Sequence, residues 1–221
     1  GGAAIEAEPE GHSSDVRNLV TFVDPATGAL RVATGSRDKT IRVWDAETGG
    51  GLLVIDVGDD VNALAFFVDP ATGAPRLACG CYGVRVFDPV AGGEALVVID
   101  VNARALAVFT DPATGAPRLA CGAGKMVHVF DPVAGGEALL VLDIGDYVSA
   151  LAVFTEPATG APRLACGTTE LDEDGDEVGG KVLVFDPVSG GDAQPFTLSQ
   201  NAYNTLTQDA QMAETIPVRP T

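Results

Sequence analysis

The sequence predicts an all-β protein built from repeated units of four short strands. Three observations predict this: a turn peptide recurs four times, an aromatic–Asp pair recurs with it, and aliphatic segments alternate with turn residues. The 221 residues include 27 Gly and 14 Pro, and 46% of the residues are hydrophobic. Because Gly and Pro interrupt the aliphatic segments so often, many short strands are favoured over long helices.

The repeat has two markers. The turn peptide reads DPATGALRVATG from Asp24, DPATGAPRLACG from Asp69 and from Asp111, and EPATGAPRLACG from Glu156. The second marker is Trp44-Asp45, Phe87-Asp88, Phe130-Asp131 and Phe185-Asp186. A period in the low forties with several strands per unit is typical of propeller blades.

The second unit shows the strands most clearly. Its four segments rich in aliphatic and β-branched residues cover 61–68, 75–81, 83–88 and 95–100. Gly and Pro turns separate most of these segments, and the unit has no sustained helical periodicity. We therefore expect four antiparallel strands in each blade.

The first unit carries polar residues that the later units lack. The stretch GHSSDVRNLVTF from Gly11, with VATGSRDKTIRVWD ending at Asp45, closely resembles a complete WD-repeat (WD40) unit. The resemblance implies a β-propeller in which a His, a Ser or Thr, an Asp and a Trp form a buried hydrogen-bonded set. In this sequence the set is His12, Ser36 (with Thr34 as the alternative hydroxyl), Asp38 and Trp44. The later units are expected to hold together by apolar packing instead.

We expect the propeller to cover residues 1–198. The predicted blades are 11–58, 59–101, 102–145 and 146–198. Residues 1–10 align with a fourth strand, and we interpret them as a closing strand or as a boundary within a longer protein. Residues 199–221 are polar and are expected to form an extension. Because the family usually closes with seven blades, the ring is expected to be small, completed by another chain, or a fragment.

Charge and composition exclude several functional classes. The formal charge is −18, with only three lysines, so no basic cluster is available to neutralise nucleic-acid phosphates. No apolar run is long enough to span a bilayer. The charge favours solubility and basic partners.

The four cysteines are predicted to serve packing. Cys79, Cys121 and Cys166 occupy one repeated LACG position, and Cys81 lies two residues after the first of them. No C-x-x-C pair is present, so neither a zinc site nor a disulfide framework is indicated. Reduced thiols favour an intracellular, cytoplasmic location. A targeting peptide, if the protein has one, would precede Gly1.

We predict a non-catalytic scaffold that binds a protein or peptide, with a basic partner favoured and no cofactor required. No nucleophile elbow, P-loop or dinucleotide fingerprint occurs. The acidic insertion TTELDEDGDEVGGK spaces aspartates like a calcium loop but has Glu177 where that loop needs Gly. The candidate partner-binding residues are Arg37, Asp59, Asp60, Tyr82, Arg104, Tyr147, Asp172, Asp174 and Asp176.

Two alternatives to the scaffold remain open at this stage. The first is a structural subunit whose open ring is completed by a second copy or another chain. The second is a metal-binding or enzymatic propeller that uses the acidic insertion. The recurring Arg31, Arg76, Arg118 and Arg163 are predicted to form local ion pairs with the acid seven residues before each of them.

Overall fold

The computed structural model describes residues 11–192 and the backbone of residues 194–195. These residues form four antiparallel sheets, which we call blades 1 to 4 in chain order. The predicted closing strand at 1–10 and the predicted extension at 199–221 lie outside the described residues. None of the described residues belongs to a helix that could span a membrane.

The strands of each blade alternate in direction along the chain. Blade 1 contains β1 (Val16–Val23), β2 (Leu30–Ser36), β3 (Thr40–Asp45) and β4 (Gly51–Asp56). Blade 2 contains β5 (Ala63–Val68), β6 (Pro75–Phe87) and β7 (Val97–Asn102). Blade 3 contains β8 (Ala105–Thr110), β9 (Pro117–Ala123), β10 (Met126–Phe130) and β11 (Leu140–Asp143). Blade 4 contains β12 (Tyr147–Thr155), β13 (Pro162–Leu171), β14 (Glu177–Gly179), β15 (Val182–Phe185) and β16 (Gln194–Pro195).

Blade 2 differs from the predicted pattern at its centre. Two strands were expected at 75–81 and 83–88, but β6 is a single element whose first half pairs with β5 and whose second half pairs with β7. Gly83 lies between the halves with φ of 113°, a conformation that favours glycine. The chain therefore bends at Gly83 between the two halves, and the blade keeps four strand segments.

The core lies between blades rather than within one. The alternating side chains of each first strand point to the two neighbouring blades in turn. In β5, Leu64 packs in the cluster shared with blade 1, whereas Ala65 and Phe67 pack in the cluster shared with blade 3. The four cysteines are unpaired and buried, and Cys79, Cys121 and Cys166 each lie in the cluster shared with the preceding blade.

In blades 1 to 3, a glycine in the second strand segment sets how closely the next blade approaches. A Cβ on Gly35 would lie 2.3 Å from Cγ1 of Val61, at the entrance to blade 2. A Cβ on Gly122 would likewise lie 2.5 Å from Cγ1 of Val148, at the entrance to blade 4. These positions accept a side chain of the following blade only because the glycine has none.

We predict that Gly122→Ala destabilises the protein by about 1–3 kcal/mol, because the added methyl overlaps Val148 inside a packed interface. Gly179→Ala is the matched control, since its new Cβ would meet nothing closer than 3.8 Å. Chemical denaturation of both variants measures the change. Equal stability of the two variants would contradict the packing role of Gly122.

Candidate functional site

A connected set of polar side chains lies in blade 1. The Trp44 Nε1–H donates to the Thr34 hydroxyl oxygen at 2.8 Å, and the Thr34 hydroxyl lies 2.7 Å from Nε2 of His12. Nδ1 of His12 lies 2.8 Å from the Asp38 carboxylate. Because the carboxylate can only accept, the proton resides on Nδ1, and Nε2 accepts from the threonine.

The hydroxyl in this set belongs to Thr34 and not to Ser36, which corrects the first choice made from the sequence. The Ser36 hydroxyl instead donates to the Ser14 carbonyl at 3.2 Å and accepts from the Asp38 amide at 3.0 Å. Residues 34 and 36 share one face of β2, so strand alternation does not separate them. The register between β2 and β3 separates the two hydroxyls. Trp44 pairs with Val32 and therefore lies nearer to Thr34 than to Ser36.

The Asp38 carboxylate is the most heavily hydrogen-bonded member of the set. It accepts from the Ser13 amide at 2.9 Å and from the Thr40 hydroxyl at 2.7 Å, in addition to His12. Burial by itself raises the pKa of this carboxyl, but the hydrogen bonds lower the pKa by more than burial raises it. The pKa of Asp38 therefore lies below its ordinary value. The set thus fixes the β2–β3 turn to the segment that precedes β1.

Every candidate partner-binding residue lies at one end of the blades. This end carries the β2–β3 turn and its equivalents together with the links between blades, and we call it the insertion face (residues 36–40, 57–62, 82–83, 102–104, 123–126, 144–147 and 171–181). Hydrogen bonds join the two kinds of loop: the Val57 amide donates to the Lys39 carbonyl and the Ile144 amide to the Lys125 carbonyl, both at 2.9 Å.

Aromatic and basic side chains stand out on the insertion face. Tyr82 is 77% exposed at the bend of β6. Tyr147 is also exposed, and Nζ of Lys125 lies 5.3 Å from the centre of its ring. Arg104 is exposed, and Arg37 is exposed with Nη1 3.5 Å from the Asp15 carboxylate.

The predicted aspartates divide into two groups. Asp59 is half-buried, and its carboxylate already pairs with Arg85 at 3.2 Å. Arg85 also lies 3.0 Å from Sγ of Cys81, so Asp59 belongs to a half-buried local cluster that the sequence did not indicate. Asp60 is half-buried, whereas Asp172, Asp174 and Asp176 are exposed in the turn between β13 and β14.

The acidic insertion folds back on itself. One oxygen of Asp172 accepts from the amides of Asp174 at 3.0 Å and Asp176 at 2.9 Å. At its base, Nζ of Lys181 lies 3.1 Å from the Asp146 carboxylate. Over the described part of the chain, no group of three or more His, Cys, Asp or Glu side chains could hold a metal ion.

Solved structures with similar folds are known. The computationally designed Ika4 protein is 26% identical, with 78% of this chain and 92% of that chain covered and a TM-score of 0.51. Saccharomyces cerevisiae Sqt1 is 18% identical over 83% of this chain, with a TM-score of 0.58, and this chain spans about half (48%) of it. BBS1N, solved in complex with ARL6DN, is 12% identical, with 84% and 69% of the two chains covered and a TM-score of 0.60.

The fold is a β-propeller. No protein-family model and no curated protein matches the chain. The propeller assignment therefore comes from the four radial sheets and their structural neighbours.

The opposite end of this propeller carries the recurring arginines. Each one bridges the acid of its first turn and the aspartate that ends or follows the third strand segment. The pairs are Arg31 with Asp24 and Asp45, Arg76 with Asp69 and Asp88, Arg118 with Asp111 and Asp131, and Arg163 with Glu156 and Asp186. The predicted local ion pairs are confirmed, and each arginine has a second carboxylate that the sequence spacing did not indicate.

We predict that Thr34→Val lowers the free energy of unfolding by about 1–3 kcal/mol. The variant leaves the Trp44 indole N–H and the His12 Nε2 without their shared hydrogen-bonding partner at a partly buried position. Thr34→Ser keeps a hydroxyl and is expected to retain most of the stability. Urea denaturation of both variants tests this expectation. A valine variant as stable as the serine variant would show that the hydroxyl contributes nothing.

The stability contributed by Asp38 is expected to depend on pH. Its pKa in the folded state lies below the unfolded value of about 3.9, so its contribution is complete above that value and is lost as pH falls through the folded-state pKa. The difference in Tm between wild type and Asp38→Asn should therefore shrink on acidification below about pH 4. Asp100→Asn, at an exposed position, is the control; an acid-independent difference for Asp38→Asn would contradict the assignment.

Proposed function

We propose that this protein is a non-catalytic scaffold that binds a protein or peptide through the insertion face, and that its partner is basic. The observation that carries the proposal is Tyr82, a large aromatic side chain 77% exposed on a face rich in carboxylates. Tyrosine side chains supply much of the binding energy of protein interfaces, because binding buries their large apolar ring while the hydroxyl keeps a polar partner.

The charge of the insertion face supports a basic partner. When half-buried side chains are included, carboxylates outnumber basic side chains there, and the β13–β14 turn alone presents Asp172, Glu173, Asp174 and Asp176. Some basic side chains on this face are already engaged, since Lys181 pairs with Asp146 and Lys125 lies over Tyr147. Such a surface attracts cationic partners over a distance and orients them before contact.

The similar structures support the same class of function. BBS1N was solved in complex with a second protein, ARL6DN. For this chain, protein binding is a proposal by analogy of fold, and the exposed Tyr82 and Tyr147 support the insertion face as its location.

The hydrogen bonds of blade 1 support a more specific proposal about the family of this propeller. The linked His12, Thr34, Trp44 and Asp38 form the hydrogen-bonded set that a WD-repeat unit implies. We propose that blade 1 is a WD-repeat unit and that blades 2 to 4 are related units without the polar set. We propose that the propeller domain extends over residues 1–198. We also propose an intracellular location, which the four unpaired cysteines support.

The test is binding of a peptide library sorted by net charge to the purified protein. The triple variant Asp172→Asn, Asp174→Asn and Asp176→Asn is expected to bind Lys- and Arg-rich peptides about 10-fold more weakly, as three partly screened charges are lost. Tyr82→Ala is expected to cost at least about 10-fold, because an exposed aromatic anchor is removed.

The matched control removes the same charge at the opposite end of the blades. Glu47→Gln, Glu94→Gln and Glu137→Gln alter three exposed carboxylates of the turns that follow the third strand segments. This control should bind basic peptides like the wild type. If the control and the insertion variant weaken binding equally, only net charge matters and the proposed face is wrong.

A further inference from the structure

The four blades form an open arc. The first strands pack in order, β1 on β5, β5 on β8 and β8 on β12. Among the described strands, β12 and β1 share no comparable contact that would close the ring. Blade 1 therefore has one face with no preceding blade, and blade 4 has one face with no following blade, within the described chain.

Inside the arc, the blade interface follows one rule. A residue just before or at the start of the next blade's first strand enters the space left by the second-strand glycine. Val61 fills the space at Gly35, and Val148 fills the space at Gly122. At Gly80, a Cβ would lie 2.7 Å from the carbonyl oxygen of Ala103, so the next blade approaches just as closely.

The two ends of the arc carry unmatched halves of this interface. Val16 occupies the repeat position of Val61, but Val16 is 52% exposed and Val61 is fully buried. Gly167 occupies the repeat position of Gly35, but a Cβ on Gly167 would meet only its own blade, at 3.5 Å from Cβ of Ala150. Blade 1 thus presents the valine and blade 4 presents the vacant glycine position.

The apolar residues around these two positions are unmatched as well. On blade 1, Leu19 is 61% exposed, whereas Leu64 at the same position of blade 2 is 4% exposed. On blade 4, Phe154 is 41% exposed, whereas Phe67 at the same position is 4% exposed. Exposed apolar patches of this kind are typical of surfaces that a partner covers.

The residues of blade 4 are those of an inner blade. Its first strand reads ALAVF from Ala150, identical to the segment from Ala105 in blade 3, and in blade 3 this segment packs against the following blade. Val182 is exposed where its counterparts Val84 and Val127 are fully buried. The face is therefore already shaped and composed to receive another blade of this chain.

We propose that a second copy of the chain supplies the missing blades, so that blade 4 of each copy packs on blade 1 of the other. Such a head-to-tail contact forms a closed ring when the rotation per subunit is half a turn. Two four-blade arcs make an eight-blade ring, which lies within the range of propeller sizes. This interface is separate from the insertion face and does not depend on the proposed function.

The sharpest test is a cross-link between the two ends of the arc. A Cβ on Gly35 would lie 3.1 Å from Cβ of Val61, and one on Gly122 would lie 3.2 Å from Cβ of Val148. These separations are close to the typical Cβ–Cβ distance of a disulfide, about 3.8 Å. The variant V16C/G167C should therefore form a disulfide-linked dimer on mild oxidation, while V16C and G167C alone should not.

The position of the cross-link distinguishes the other arrangements. An oxidised monomer with a disulfide within one chain would overturn the proposal in favour of a ring closed by four blades. Absence of any cross-link at these positions would overturn it in favour of other segments or another protein covering the two faces. Peptide mapping of the oxidised product identifies the linked residues, and the native cysteines are buried.

Light scattering gives an independent readout. The wild type should have twice the 22.5 kDa chain mass at physiological salt. Val16→Asp should reduce this to one chain mass while far-UV circular dichroism keeps its β-sheet form. Val98→Asp changes an exposed valine on the outer strand of blade 2 and should leave the dimer intact. A wild-type monomer, or a Val16→Asp variant that keeps the doubled mass, would overturn the proposal.

Discussion

The structure depends on the distance between neighbouring blades, and the second-strand glycines set that distance. At Gly35 and Gly122 the following blade occupies the space where a side chain would lie, so neither position tolerates a Cβ without movement of a packed valine. The close approach in turn allows Leu64 and Phe67 to be buried on opposite sides of one strand. Most of the buried apolar surface lies in these interfaces, as expected for an architecture in which each unit cannot bury its faces alone.

Blade 1 and the later blades have different side chains at the same interior positions of the repeat. Where blade 1 has Thr34 and Trp44, the later blades have cysteine and phenylalanine at the same positions. Cysteine and phenylalanine need no hydrogen-bonding partners, so those blades need no histidine or turn aspartate. The polar set occurs once because its members are useful only together: an indole N–H, a hydroxyl, an imidazole and a carboxylate satisfy one another in a chain of hydrogen bonds.

The two ends of the blades have different electrostatic character. At the end opposite the insertion face, arginines such as Arg118 each bridge two carboxylates, so these carboxylates are held in local ion pairs. On the insertion face, the carboxylates of the β13–β14 turn are exposed, and that of Asp172 accepts from backbone amides of its own turn. The exposed carboxylates of this turn therefore lie at the same end of the blades as Tyr82 and Tyr147.

The sequence by itself determined the all-β class, the four repeat units, the first-turn ion pairs and the packing role of the cysteines. It could do so because these features depend on local turn chemistry and on a repeated pattern, both of which are visible in one unit. It did not determine which hydroxyl joins His12 to Trp44, because Thr34 and Ser36 lie on the same strand face and only the register with β3 separates them. Nor did it indicate that Asp59 is paired with Arg85, since the two residues are 26 positions apart.

Only the tertiary structure decided that the four blades of the described chain form an open arc and which residues lie at its ends. Val16 and Val61 have the same local sequence role, yet one is exposed and the other is buried, because burial depends on whether a blade lies beside it. A repeat sequence specifies the interface between neighbours equally for every unit. The angle between blades, which determines how many units complete a ring, comes from packing at many interfaces at once and is not encoded in any single segment.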